Sequence, residues 1–155
     1  MSNDKKNEII ENLKKSYWME IETVMNYLAN SVHLDGIRAE EVKEKLSVEV
    51  ADELGHATRL AKRLKELGAA VPGSLEFNAE QKTMQPPEDT TDMYAIVKGV
   101  VDAETGAIEQ YKKIIRLCDG VDYVTQDLCI GLQADEEEHL VIFQGYLKAL
   151  DKDRK

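Results

Sequence analysis

Two short segments of the chain, Ala51-Asp52-Glu53-Leu54-Gly55-His56 and Ala134-Asp135-Glu136-Glu137-Glu138-His139, share the pattern Ala-Asp-Glu-x-x-His. Residues three apart lie on nearly the same face of a helix, so each segment can present one carboxylate and one imidazole together. A single pair of this kind is ordinary on a solvated helix. Two pairs, each matched by another in-phase glutamate (Glu20 for the first, Glu104 for the second), are not. Carboxylates and imidazoles without thiolates suit iron or manganese, and such sites also take zinc. Four carboxylates buried together would repel one another and lose their hydration, so cations must compensate them. Four negative charges match two divalent ions. A hard, oxygen-rich set stabilises Fe(III) over Fe(II), which favours oxidation of bound ferrous ion by O2 or peroxide.

These side chains need rigid elements to hold them. In the first half, Leu13, Tyr17, Glu20, Val24, Tyr27 and Ser31 follow the three/four spacing of a helix face, which Asp35-Gly36 ends. Leu46, Val50, Glu53, Ala57, Leu60, Leu64 and Leu67 continue it as far as Gly68. Val97, Val101, Glu104, Ile108, Tyr111 and Ile115 form a third stripe, halted by Asp119-Gly120. The fourth contains Leu132, Glu136, His139, Phe143, Leu147 and Leu150. Helices are expected over 5–34, 38–67, 91–118 and 122–152, with a crossover at 68–90 that holds all three prolines. At ~3.3 Å per residue the crossover can span ~75 Å, whereas a helix of ~29 residues is ~43 Å long. It can therefore return along the whole bundle, with a short helix expected near residues 78–83. The fold class is all-α: an antiparallel four-helix bundle of two helical hairpins with one long crossover, forming one domain over residues 1–155.

The hairpins are copies of each other. Glu20, Tyr27 and Asp35-Gly36 correspond to Glu104, Tyr111 and Asp119-Gly120 at an offset of 84. Asp52, Glu53 and His56 correspond to Asp135, Glu136 and His139 at an offset of 83. Counted from each Asp-Gly turn, the two glutamates of a hairpin differ by only ~2–3 Å in height at ~1.5 Å rise per residue. Glu20, Glu53, Glu104 and Glu136 should therefore share one inward-facing layer, with His56 and His139 beside them.

Composition limits the alternatives. The 155 residues are 43% hydrophobic, enough for one sizeable core, and carry a formal net charge of −10. That charge disfavours nucleic-acid binding and concentrates cations near the surface. No run of about 18 apolar residues suggests a membrane span, so a cytoplasmic location is expected.

With these motifs the chain resembles the ferritin-like superfamily over nearly its full length. The residues that carry the likeness are Glu20 followed by Tyr27, DELGHA with Glu53 and His56, Glu104, and DEEEHL with Glu136 and His139. The bacterioferritin type of intrasubunit centre is the nearest match. That resemblance implies two iron ions per subunit, with manganese or zinc as substitutes. Glu20 and His56 would be terminal ligands of one ion, Glu104 and His139 of the other, and Glu53 and Glu136 would bridge. Tyr27 would hydrogen-bond a ligand or donate an electron.

Several positions depart from particular branches of the superfamily. Leu54 stands where bacterioferritins carry a haem-ligating Met, so no haem is expected. Sixteen residues follow His139, enough to finish the fourth helix but not to add the fifth helix of 24-subunit cages. Position 107 is Ala, where a rubrerythrin usually has a second Glu. What remains is similar to Dps-like proteins with a bacterioferritin-type centre, the thioferritins. The likeness implies a ferroxidase that oxidises Fe(II) with H2O2 or O2 and stores Fe(III) in a hollow homo-oligomer, a dodecamer in preference to a dimer. The alternatives are a rubrerythrin- or manganese-catalase-like peroxidase without storage, and a bundle that holds zinc without turnover.

Other residues suggest less. Cys118 and Cys129 face inward but stand ~9 Å apart in height, and their counterparts are Leu34 and Leu46, which favours core packing over a redox pair. His33 is expected at the surface near a helix end. Trp18 is expected at a core edge or subunit interface, and Glu49, one turn before Glu53, on a solvated face.

Overall fold

The computed structural model describes residues 1–154. Four helices carry the fold: α1 (Asn3–His33), α2 (Ala39–Glu66), α3 (Met93–Cys118) and α4 (Tyr123–Asp153). Their ends fall within a few residues of the sequence expectation. No strand occurs among the described residues. Three helix starts are capped by side chains that accept otherwise unpaired backbone N–H groups: Ser2 from Lys5, Asp92 from Ala95 and Asp122 from Thr125. The hairpin turns need Gly36 and Gly120, whose φ values of 107° and 69° disfavour any residue with a Cβ.

Helix α1 packs along α2 and α3 along α4, and the hairpins meet chiefly where α1 touches α3. The core is divided in two. At one end Ile9, Leu13, Leu60, Leu64, Tyr111, Ile114 and Leu132 cluster around Cys118 and Cys129. At the other, Tyr27, Leu34, Leu46, Ile96, Val97, Val100 and Phe143 do the same. Each cluster joins the start of one helix to the end of its hairpin partner, and buried Glu20, Glu53, Glu104 and Glu136 lie between the two clusters. That division gives the polar layer dry walls above and below, where charge is poorly screened.

The crossover runs back along α1, as its length allows, but its local structure departs from expectation. The short helix lies at Ser74–Glu76 as a single 3-10 turn rather than near 78–83. Buried Glu22 ties this stretch to α1 instead: its carboxylate accepts the N–H groups of Glu80 (2.8 Å) and Gln81 (2.6 Å). Further along, Gln81 donates to Thr23 and accepts from Asn26, and Asn30 donates to the carbonyl of Met84 at 2.7 Å. The buried face of α1 is consequently more polar than the Leu13–Ser31 stripe suggested. Tyr17, Val24 and Ser31 are only half-buried, while Ser16, Thr23, Asn26 and Asn30 are buried. Met84 turns inward with φ 63° and packs on Gly99, where an added Cβ would stand 2.7 Å from the Met84 nitrogen. His33 is exposed and lies 2.9 Å from the Pro87 carbonyl, in keeping with its expected surface position.

Candidate metal centre

One polar residue group crosses the bundle between the two apolar clusters. Glu20 from α1, Glu53 and His56 from α2, Glu104 from α3, and Glu136 and His139 from α4 are all buried. The six residues singled out from the sequence therefore converge. They form two overlapping groups, Glu20–Glu53–His56–Glu136 and Glu53–Glu104–Glu136–His139, in each of which potential ligand atoms lie within 4.8 Å of one another. Glu53 and Glu136 belong to both.

The pseudo-two-fold symmetry read from the repeat holds at the level of atoms. His56 Nδ1 lies 3.0 Å from Glu136, 3.3 Å from Glu53 and 3.9 Å from Glu20. His139 Nδ1 lies 3.1 Å from Glu53, 3.2 Å from Glu136 and 3.9 Å from Glu104. The imidazoles stack with centroids 6.0 Å apart, inclined by 17°. Each hairpin also sends a phenol to the other: Tyr27 donates to Glu104 and Tyr111 donates to Glu20. The repeat had already paired Tyr111 with Tyr27, and this pairing was the clue to its matching place beside the acids.

Outside the cluster the symmetry ends. His56 Nε2 faces Asp135 at 3.2 Å, whereas His139 Nε2 faces Glu49 at 2.7 Å. Glu49 corrects the sequence expectation of a solvated residue: it is fully buried, in ion-pair contact with Lys45 and His139. Its position one helical turn before Glu53 put it on the inward face, but the acidic neighbourhood masked that placement.

Burial and mutual repulsion sort the protons in the metal-free layer. Burial raises Glu20 and Glu104 well above the usual carboxylate range, and the charges of Glu53 and Glu136 push them further. Burial also opposes ionisation of Glu53 and Glu136, but hydrogen bonds from the histidines and the neighbouring acids hold both below that range. Burial disfavours the His56 cation, yet its bonds to Glu136 and Glu53 lift it to about 10. His139 is raised in the same way by Glu136, Glu49 and Glu53. Tyr27 and Tyr111 are pushed up by burial and by the adjacent carboxylates, so both stay phenols able to donate. Two imidazolium and two carboxylate charges thus cancel without metal.

The residue set fits a pair of divalent cations. Glu136 Oε2 is buried and makes no aligned hydrogen bond, although His139 Nδ1 lies 3.2 Å away, so it keeps a lone pair that a cation can take. Ionised carboxylates and neutral imidazoles are the donors that iron accepts. A cleft of about 370 Å³ between α2 and α4 reaches the outer edges of both histidines and is lined also by Lys45, Glu49, Asp52, Arg59 and Asp135. Cys118 and Cys129 stand apart from the acids, fully buried among leucines, with free thiols. Trp18 is half-buried beside Pro72 and Phe77 of the crossover, at the edge of an apolar groove.

The ferritin-like domain matches residues 10–152, nearly the whole chain. The protein belongs to the ferritin-like family. Within that family it is 27% identical over 143 residues to the bacterioferritin of Desulfovibrio desulfuricans, covering 92% of this chain and 75% of that one. It is also 27% identical over 143 residues to the DNA protection during starvation protein of Pyrococcus furiosus, covering 90% and 77%. Among solved structures, its backbone is similar to that of the bacterioferritin-related protein of Bacteroides fragilis, a dodecameric thioferritin. The TM-score is 0.81 at 22% identity, covering 96% of this chain and 89% of that one. Ferritin-like membership agrees with the all-α hairpin architecture and with carboxylate–histidine clusters suited to a di-iron site. Among the described residues, no helix is long and apolar enough to cross a membrane.

Proposed function

We propose that this chain, as a single ferritin-like domain, is a ferroxidase that binds two Fe(II) ions as substrate and oxidises them with H2O2 or O2. The observation that carries this reading is the sharing of Glu53 and Glu136 between two buried four-residue groups. An ion in either group therefore has a second ion as its neighbour, and two one-electron donors meet one two-electron oxidant. Two Fe(II) ions supply the two electrons that, with two protons, reduce one H2O2 to two waters; with O2 the same electrons and protons give H2O2. Glu20 and His56 would hold one ion, Glu104 and His139 the other, and Glu53 and Glu136 both. Tyr27 and Tyr111 orient the terminal glutamates through their hydroxyls. The apolar clusters above and below exclude bulk water from the acids, and the α2–α4 cleft supplies access.

Storage of Fe(III) within a homo-oligomeric shell is the accompanying proposal, supported by kinship with a bacterioferritin and a DNA protection during starvation protein and by the dodecameric fold relative. The test combines binding with kinetics. Apo-protein should take up two Fe(II) per chain anaerobically and develop ferric absorbance when peroxide or O2 is added. In Glu53→Ala the fast phase should disappear. Unchanged kinetics in that variant would remove this layer from the mechanism. Native mass measurement decides the assembly, with a twelve-subunit particle supporting storage and a dimer opposing it.

A further inference from the structure

The pseudo-two-fold symmetry predicts two equivalent metal positions, but the residues behind the histidines make them unequal. His139 Nε2 is held at 2.7 Å by Glu49, which is 0% exposed and in turn meets Lys45 one helical turn earlier. Both Glu49 oxygens lack an aligned hydrogen bond, so contact with these two cationic side chains is what compensates this buried charge. On the other side His56 Nε2 makes an aligned hydrogen bond to Asp135 at 3.2 Å, but that carboxylate is 47% exposed and shared with Arg59 at 3.6 Å. Asp52, the symmetry counterpart of Asp135, lies 4.0 Å from His139 Nε2 and is 58% exposed. The duplicated segment contains no second copy of the buried chain. At the 83-residue offset, Lys45 and Glu49 correspond to Leu128 and Leu132, and Arg59 corresponds to Ile142.

A carboxylate charge close behind a metal-binding imidazole raises its donor strength, whether or not an aligned hydrogen bond also fixes the ring. The effect grows when water is excluded and shrinks when water competes. We infer that Glu49, charge-balanced by Lys45, is a positioning residue that makes the Glu104–His139 position the tighter of the two and the first to fill. Asp135 acts on His56 through water-exposed contacts and adds little. Oxidation would then be timed by arrival of the second, more weakly held ion at Glu20 and His56. This inference rests on the two-ion reading above and concerns the order and strength of binding.

Anaerobic titration of the full-length apo-protein with Co(II) tests it, because the visible bands of the bound ion report its ligand geometry without turnover. The wild-type protein should bind two ions in two steps at least about tenfold apart, in the range by which such partners change metal affinity. In Glu49→Gln, which keeps the shape and removes the charge, the tighter step should weaken by about tenfold or more and its bands should shift. In Asp135→Asn both steps should stay within about threefold of the wild-type values. Far-ultraviolet circular dichroism of each apo-variant checks folding, and a general loss of packing would weaken both steps together. Two equal steps in the wild type, or an equal loss at both in Glu49→Gln, overturns the inference while leaving the two-ion reading intact. Binding of fewer than two ions by the wild type overturns both.

Discussion

Loading the layer with metal should release protons, and their number follows from the side chains. Before metal binds, burial keeps Glu20 and Glu104 protonated, and the acid neighbours keep His56 and His139 charged. Metal ligation requires all four groups to give up those protons. Two divalent ions should therefore displace about four protons per chain near neutral pH, two from imidazolium and two from carboxylic acid groups. Zn(II) added to weakly buffered apo-protein in a pH-stat measures this without redox chemistry. Release of one proton or none per two bound ions would show that the acids are already ionised and the imidazoles neutral, which would refute the burial argument.

The same proton distribution determines how stability changes with pH. Raised Glu20 and Glu104 contribute stability that is complete below the usual carboxylate range and lost as pH rises through their folded values. His56 contributes stability that is complete below 6.5 and lost as pH climbs through about 10. The depressed Glu53 and Glu136 act oppositely, but their contribution is lost only as pH falls through their low folded values. Apo-protein should thus lose thermal stability from about pH 5 towards pH 10, because folding there binds protons that the unfolded chain lacks. The loaded protein should gain stability with rising pH at the acid end, because protons compete with metal. Differential scanning calorimetry with and without Zn(II) reads both slopes, and parallel curves would contradict the assignment.

Three further perturbations probe the frame around the acids. Tyr27→Phe removes the donor to Glu104 and should lower the loaded protein's stability to denaturant by about 1–3 kcal/mol, with Tyr111→Phe giving a similar loss through Glu20. Gly99→Ala drives a Cβ to 2.7 Å from the Met84 nitrogen, so the crossover must shift; a loss of about 1–3 kcal/mol is expected in urea unfolding, together with faster hydrogen exchange at residues 80–85. Burial pushes the Cys118 thiol up to about 11 and Cys129 to about 12, so neither should react with a thiol reagent at pH 8 until the protein unfolds. Rapid labelling of the native protein would place the cysteines nearer the surface than the structure has them.

The four helices, their hairpin pairing and the convergence of Glu20, Glu53, His56, Glu104, Glu136 and His139 were all legible in the amino-acid order. Helical periodicity and a duplicated motif are local properties, and equal distances from two Asp-Gly turns translate directly into equal heights. The crossover was less legible because its backbone is organised by partners on α1. Glu22 takes the N–H groups of residues 80 and 81, and no pattern within the segment announces that capture. Glu49 illustrates the same limit. Its type and its charged neighbours look like those of a solvated helix, and only the approach of α4 buries it beside His139. Sequence alone thus determined which residues share a face and a height, since both depend on helix geometry within each segment. Tertiary packing decided which charges lose water and which imidazole gains a buried carboxylate, because those outcomes depend on residues distant in the chain.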